Sequence, residues 1–201
     1  IRDSINRSAT RISEESLQNI TRLAEIQKMT QDIHMLGLSH IIATDLNSMI
    51  KLVDEIRSSE EKLEKELDTY QKHVNKDTEK YYKDIKKNYD ELKIQCDNVM
   101  AYSASGKSED AYNLANGEIS DCSDTIESDI EQIKKIVNKN ADAQRASLNA
   151  AYRSSLATSA VTILISIFAL LAAVVAVVKL LIRPLNKTNK EIKEIITGID
   201  N

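Results

Sequence analysis

The side chains that most often carry chemistry in proteins are few and widely spaced in this sequence. Its histidines are His34, His40 and His73. On one helix, His34 and His40 would lie about 240° apart around the axis, so they cannot hold one metal ion as an i,i+4 pair does. No glycine-rich phosphate loop, HExxH motif or nucleophile elbow occurs. We therefore predict no catalytic site, no metal and no cofactor, and we do not expect an enzyme.

Two residue types could still contact a small ligand. His40 suits a core position or, because imidazole titrates near neutrality, a ligand-contacting or pH-responsive position. Five tyrosines occur in the middle of the chain: Tyr81, Tyr82, Tyr89, Tyr102 and Tyr112. They suit core packing with the hydroxyl at the rim, or the lining of a cleft between helices. His40, Tyr89 and Tyr112 are thus weak candidates for ligand contact, and the ligand's identity is left open.

The two cysteines are predicted to be unpaired. Cys96 and Cys122 would lie on neighbouring helices of a hairpin that turns near Gly106. In that hairpin Cys96 faces Gly117, which leaves it about 7 Å along the axis from Cys122. This offset is beyond easy disulfide geometry, so both residues are interpreted as small core side chains.

One uncharged segment, Ala160–Val178, can cross a membrane. As a helix it would be about 29 Å long, which matches the hydrocarbon core of a bilayer. Tyr152 and Arg153 before it, and Lys179 and Arg183 after it, are the predicted membrane-interface anchors. We assign residues 158–182 to a transmembrane helix in contact with the lipid bilayer.

The residues before this segment show helical periodicity throughout. Apolar or small side chains recur every three or four residues over 1–43, from Thr44 or Asp45 to 74, from Asn75 or Asp77 to 103, and from residue 108 onward. In the third segment the predicted inward side chains are Tyr82, Ile85, Tyr89, Leu92, Cys96 and Val99. Charged runs between these positions, including Glu60 and Glu61, are predicted to lie on solvated surface.

Helix boundaries are predicted from capping residues. Thr44 or Asp45 would cap the second helix and Asn75 or Asp77 the third. Gly106 would end the third helix in a left-handed conformation, and Ser108 would cap the fourth. No breaker separates the fourth helix from the apolar segment, since the only proline is Pro184. The sequence therefore predicts an all-α, up-down-up-down four-helix bundle over residues 1–157 whose fourth helix continues into the transmembrane helix.

Composition and charge reduce the number of function classes that fit the sequence. The net charge is −4 with mixed signs along the chain, which argues against a nucleic-acid partner. Basic residues near the apolar segment are more numerous after it (Lys179, Arg183, Lys187, Lys190, Lys193) than before it (Lys139, Arg145, Arg153). By the positive-inside rule the C-terminus is cytoplasmic and the bundle is outside the plasma membrane. The chain begins at Ile1 without a methionine, so we expect a preceding membrane anchor and a following cytoplasmic part.

The layout resembles the four-helix-bundle sensor domain of methyl-accepting chemotaxis proteins. After the apolar segment, IRPLNKTNKEIKEIITGID resembles the opening helix of a HAMP linker, which we assign to residues 183–201. It has a proline at its entry, Pro184, and a glycine near its end, Gly198, followed by Asp200. Its apolar heptad positions are Leu185, Ile192, Ile195 and Ile196.

This resemblance implies a mechanism that the residues alone do not. Such receptors are homodimers in which helix 1 packs on helix 1 of the partner. A small-molecule ligand, bound directly or through a carrier protein, shifts helix 4, and the HAMP linker relays the shift to cytoplasmic signalling proteins. In this chain Pro184 would be the signal-coupling residue. The arginines that hold amino-acid ligands in well-known members are absent between Thr30 and Asp45.

We therefore expect a transmembrane chemoreceptor fragment in the cell membrane. One alternative is the sensor portion of a membrane histidine kinase or cyclase, whose catalytic domain would lie outside this sequence. A further alternative is a helical pore-forming or purely structural membrane protein.

Overall fold

A computed structural model describes the backbone of residues 2–199 and the side chains of residues 4–193. Its helices are α1 (Arg2–Ile42), α2 (Leu46–Tyr70), α3 (Glu79–Ala104), α4 (Ser108–Leu114), α5 (Ser120–Val177) and α6 (Arg183–Ile199). A short 3₁₀ turn, Gln71–His73, follows α2. Two π-helical segments, Ala115–Ile119 and Val178–Ile182, join α4 to α5 and α5 to α6. The described residues contain no strand, so the all-α prediction is confirmed.

Residues 3–146 form a compact unit, and contacts between side chains of different helices fix the helix directions. The contacts are Arg57–Asp97 and Asp68–Lys86 between α2 and α3, and Gln27–Lys134 and Ser13–Arg145 between α1 and α5. In both pairs of helices the residue numbers rise along one helix as they fall along the other. The Arg22–Glu66 ion pair and the three-residue connection at 43–45 make α1 and α2 antiparallel as well. The helices therefore run up-down-up-down, with α4, its π segment and the first part of α5 as the fourth helix.

The bundle core is built almost entirely from the predicted periodic side chains. All six inward positions predicted for α3 are buried. From α1 and α2 the core takes Leu23, Ile26, Ile33, Leu63, Leu67 and Tyr70, and from the fourth helix Ala115, Ile119, Ile126, Ile130 and Ile133. Burial along α5 fades after Ala141: Gln144 and Ala151, on the continuation of the same helix, are exposed. The early part of α1, from Ile5 to Ser16, is only half-buried at best.

The turns between helices follow from local side-chain chemistry. Asp45 caps α2 by accepting the Ser48 N–H at 2.9 Å. Asn75 accepts the N–H groups of Asp77 and Thr78, which closes the turn before α3. Gly106, with φ of 75°, is the one described residue with positive φ and ends the α3 turn as predicted.

Ser108 does not cap the fourth helix. It is the first residue of α4, and Lys107 occupies the capping position without a side-chain hydrogen bond. The Lys107 N–H instead donates to the Tyr102 carbonyl at 2.9 Å and the Gly106 N–H to that of Ser103 at 3.0 Å. This backbone closure at the end of α3 shifts the start of α4, so the serine lies one position too late to act as the cap.

Among the described residues, the second unit comprises residue 2 and residues 147–199. The helical stretch Ser108–Lys193 contains a segment long and apolar enough to cross a membrane, and none of that segment is buried in the described structure. Its hydroxyls are satisfied internally: Thr158, Thr162 and Ser166 each donate to the carbonyl four residues earlier. A bilayer would therefore meet an apolar surface whose hydroxyl hydrogens are already bonded.

Pro184 lies inside a helix and does not end one. Proline lacks an N–H, so a regular α-helix through it would leave the Leu180 carbonyl without a donor. The π segment Val178–Ile182 lies at that point, and the Arg183 N–H donates to the Val178 carbonyl, five residues earlier. This irregularity lets α6 continue through the proline to Ile199.

Candidate functional site

His40 lies in the core, at the end of the bundle where α1 finishes and α3 finishes. Its side chain is 1% exposed, and its Nδ1 has no hydrogen-bond partner among the described residues. The Ser103 hydroxyl donates to the His40 carbonyl at 3.0 Å, which ties the two helices together. Burial lowers the pKa of His40. The imidazole is therefore a neutral core group, and it would contact a ligand only if the helices separated.

Tyr89 and Tyr82 act as polar ties between α3 and α2. The Tyr89 hydroxyl donates to the Glu60 carbonyl at 2.9 Å, and the Tyr82 hydroxyl to the Leu67 carbonyl at 3.0 Å. Both rings are buried, and desolvation raises the pKa of each phenol. Tyr89 borders a shallow depression between α2 and α3, but its hydroxyl is already engaged.

Tyr112 differs from these two because its ring is 56% exposed at the start of the fourth helix. It therefore offers an accessible aromatic surface that His40 and Tyr89 lack. The structure does not bring the three candidates together: no described cavity is lined by more than one of them.

One glutamate of α2 that belongs to a charge network with α3 is buried, contrary to the prediction. Glu60, predicted to be solvated, is only 4% exposed. Its Oε2 accepts from Arg57 at 2.9 Å, and Arg57 also bonds Asp97 of α3. Burial raises the pKa of Glu60, and its Oε1 has no partner in the described structure. A signal for this burial is present in the sequence: Glu60 lies four residues after Ile56 and three before Leu63, which places it on the buried stripe of α2.

A groove of the bundle unit that could receive a small molecule lies between α1 and α2. It has a volume of ≈ 380 Å³ and is lined by Asp32, Met35, Leu36, Ser39, Glu55, Ser58, Ser59 and Lys62. Both carboxylates are already paired along their own helices, Asp32 with Lys28 at 2.6 Å and Glu55 with Lys51 at 3.6 Å. The groove therefore presents serine hydroxyls, a methionine side chain and the Lys62 ammonium group.

The cysteines are free and buried, as predicted. Burial raises the pKa of Cys96 to about 12, which keeps its thiol protonated and unreactive. Across the described residues no group of three or more His, Cys, Asp or Glu side chains could hold a metal ion.

The predicted membrane-interface residues are accessible at the surface of the helix, as anchoring at an interface requires. Tyr152 is half-buried, and Arg153, Lys179 and Arg183 are exposed; the predicted signal-coupling residue, Pro184, is exposed as well. The first two precede the exposed apolar side chains of α5 in the sequence, and the others follow them. Their positions are compatible with interface anchoring, which stays a prediction.

Comparison with known proteins adds one finding. The family described as a four helix bundle sensory module for signal transduction matches residues 3–152. The matched range contains the whole compact bundle unit. No curated protein matches the chain.

Proposed function

Because the chain belongs to the family of four-helix-bundle sensory modules for signal transduction, we propose that it is the sensing front end of a transmembrane chemoreceptor. The observation that carries this proposal is the helical stretch Ser108–Lys193, which contributes a core helix to the sensory module and also contains the apolar segment. A helix shared in this way can transmit a displacement without any covalent or catalytic step.

Exposure of large apolar side chains supports a membrane location for the apolar segment. Phe168 is 70% exposed, and Leu164, Leu171 and Val175 are more than half exposed. A run of such side chains is unfavourable in water, whereas in a bilayer each one gains its transfer free energy. The excess of lysine and arginine after the segment supports a cytoplasmic C-terminus and a bundle outside the plasma membrane.

Homodimer formation is supported by the surface of α1. Leu17 is 65% exposed and Met35 61% exposed, although both lie on a helix whose opposite face enters the core. A second copy packed along α1 would cover these side chains. The groove between α1 and α2, which Met35 also lines, is the proposed site for a small ligand at the edge of that contact, or for a carrier protein that delivers it.

The relay to the cytoplasm is proposed to run through α6 as the opening helix of a HAMP linker. Leu185 and Ile192 are exposed, as expected for heptad positions that await a partner helix. The side chains of the other two predicted heptad positions, Ile195 and Ile196, and the residue Asp200 lie outside the described residues. Cytoplasmic signalling proteins would be contacted by a part of the receptor beyond this sequence.

A chimera tests the proposal directly. Residues 1–201 are joined to the cytoplasmic HAMP and signalling rod of a well-characterised chemoreceptor, and swimming responses of the host to a panel of attractants are recorded. We expect at least one attractant to produce a response, and the same chimera without residues 3–146 to produce none. A chimera that reaches the membrane but responds to nothing would contradict the proposal.

Sequencing the complete gene separates the alternatives. A histidine-kinase or cyclase domain after residue 201 would replace the chemoreceptor with a sensor enzyme. Leakage of liposomes caused by the purified chain would favour a pore-forming protein.

A further inference from the structure

A carboxylate is buried in the packing surface between α5 and α3. Asp129 is 9% exposed, in a row of α5 side chains that otherwise comprises Cys122, Ile126, Ile130 and Ile133. Its Oδ2 has no hydrogen-bond partner in the described part of the chain. An ionised carboxylate in such a place is strongly unfavourable unless it is paired with a cation or neutralised by a proton.

The nearest partner of this carboxylate is another acid. The Asp84 carboxyl of α3 lies within hydrogen-bonding reach of Asp129, and Lys80, one turn earlier on α3, provides a weaker opposing charge. On α5 itself the residues one turn to either side, Thr125 and Gln132 among them, are uncharged. Among the described residues, no ionisable group of α1 or α2 contributes to the shift in the pKa of Asp129. Two carboxyl groups that face each other with only one cation nearby can share one proton but repel once both are ionised.

We propose that the Asp84–Asp129 pair is a proton-binding site, through which acidity controls how tightly α5 packs against α3. When one proton is bound, the two carboxyl groups hydrogen-bond to each other across the helix interface. When the proton leaves, both groups carry charge and the interface is pushed apart. The helix that moves is α5, which continues into the apolar segment, so protons are a stimulus that this bundle can register.

The direction of the effect follows from the two protonation states. Burial, the nearby Asp84 charge and its hydrogen bond raise the pKa of Asp129 to about 6, against an ordinary value of 3.8. The folded chain therefore binds more protons than the unfolded chain between these values, and stability rises as the pH falls through 6. From this group alone the folded-to-unfolded equilibrium constant rises about tenfold between pH 7.5 and pH 5.

Two other buried groups have shifted pKa values, and their effects on stability must be separated from that of Asp129. Burial raises the pKa of Glu60, so Glu60 acts in the same direction as Asp129. Burial lowers the pKa of His40, so stability from His40 is lost as the pH falls below 6.5. Only a comparison between variants isolates the contribution of Asp129.

The test uses the full chain in detergent micelles or nanodiscs. Urea unfolding is measured from pH 7.5 to pH 5 for the wild type, Asp129→Asn, Asp84→Asn and, as matched control, Asp124→Asn, which alters an exposed acid of the same helix. Asparagine imitates the protonated acid, so Asp129→Asn should be more stable than the wild type at pH 7.5. The ratio of its folded-to-unfolded equilibrium constant to that of the wild type should shrink about tenfold by pH 5. Asp84→Asn should show a similar change. Asp124→Asn should have the same pH dependence as the wild type.

Two direct measurements complete the test and need no signalling output, so they stand apart from the chemoreceptor proposal. Carbon-13 NMR of the Asp129 carboxyl should show a titration midpoint near pH 6 in the intact chain. Spin labels at the exposed positions Lys87 of α3 and Lys135 of α5 should approach each other from pH 7.5 to pH 5 in the wild type but not in Asp129→Asn. A midpoint below pH 4.5, or an equal pH dependence in the wild type and Asp129→Asn, would overturn the proposal.

Discussion

At the scale of single residues, this bundle holds its helices together with a few buried polar groups set among aliphatic side chains. The Tyr82 and Tyr89 hydroxyls both bind main-chain carbonyls of α2, and the Ser103 hydroxyl binds one of α1. Aliphatic packing tolerates sliding along the helix axis, whereas a hydrogen bond to one carbonyl selects one register. These residues therefore fix the positions of α1, α2 and α3 relative to one another along the bundle axis.

Replacing Tyr89 with phenylalanine tests this role. The change keeps the buried ring but removes the hydroxyl that donates to Glu60. We expect a loss of about 1 kcal/mol in the free energy of unfolding, the usual contribution of such a hydrogen bond, measured by urea denaturation. Tyr112→Phe is the matched control, because its ring is exposed at 56% and it should change stability very little. Equal effects of the two changes would mean that the buried hydroxyl does not stabilise the fold.

At the scale of helices and turns, periodicity predicted which helix faces are buried, but it did not predict local departures from those faces. The spacing of Tyr82, Ile85 and Leu92 predicted the buried face of α3, because a bundle core repeats every three or four residues. The burial of Glu60 was missed because the charged residues around it were interpreted as one solvated face, although its spacing from Ile56 and Leu63 places it on the buried stripe. The groove between α1 and α2 could not be predicted, because it is defined by the distance between two helices. The π segments were missed because one added residue hardly disturbs a pattern that already mixes threes and fours.

The turn between α3 and α4 provides an element-scale prediction. Gly106 has φ of 75°, so a side chain there is strained even though a Cβ atom would meet no atom within 4 Å. Gly106→Ala should therefore lower the free energy of unfolding by about 1 kcal/mol. Gly117→Ala serves as the comparison: it lies in a helical segment with equally open surroundings, so it should be neutral or stabilising. Thermal unfolding monitored by circular dichroism distinguishes the two, and destabilisation of similar size in both would contradict this explanation.

At the scale of the whole molecule, two parts of α5 have surface properties suited to different surroundings. Up to Ala141 the α5 side chains pack against other helices, and further along the apolar side chains are exposed, Phe168 at 70%. Their burial must come from surroundings other than this chain. A bilayer satisfies that requirement, because the backbone of a helix and its back-bonded hydroxyls leave no unsatisfied polar group in the apolar region.

A charge placed in the middle of the apolar segment tests the bilayer assignment. Phe168→Arg should raise the free energy of membrane insertion by about 3 kcal/mol, the usual value for arginine at the centre of a membrane helix. The fraction of chain that resists carbonate extraction from membranes should fall accordingly. Leu17→Arg, at an exposed bundle position of similar accessibility, should leave that fraction unchanged. Insertion unaffected by the first change would place the apolar segment outside the lipid core.

The π segment before Pro184 also determines how the front and back of such a protein can be recombined. A π turn accommodates one residue more than an α turn, and each residue of an α-helix rotates the remainder of the helix by about 100°. Deleting a single codon within Val178–Ile182 would let the π turn close into an α turn, so both halves would stay helical and α6 would keep nearly the same side toward any partner. A deletion in a regular part of the helix removes no surplus residue, so it would turn α6 by about 100°. Functional grafts should therefore tolerate the loss of one residue within this segment and not outside it.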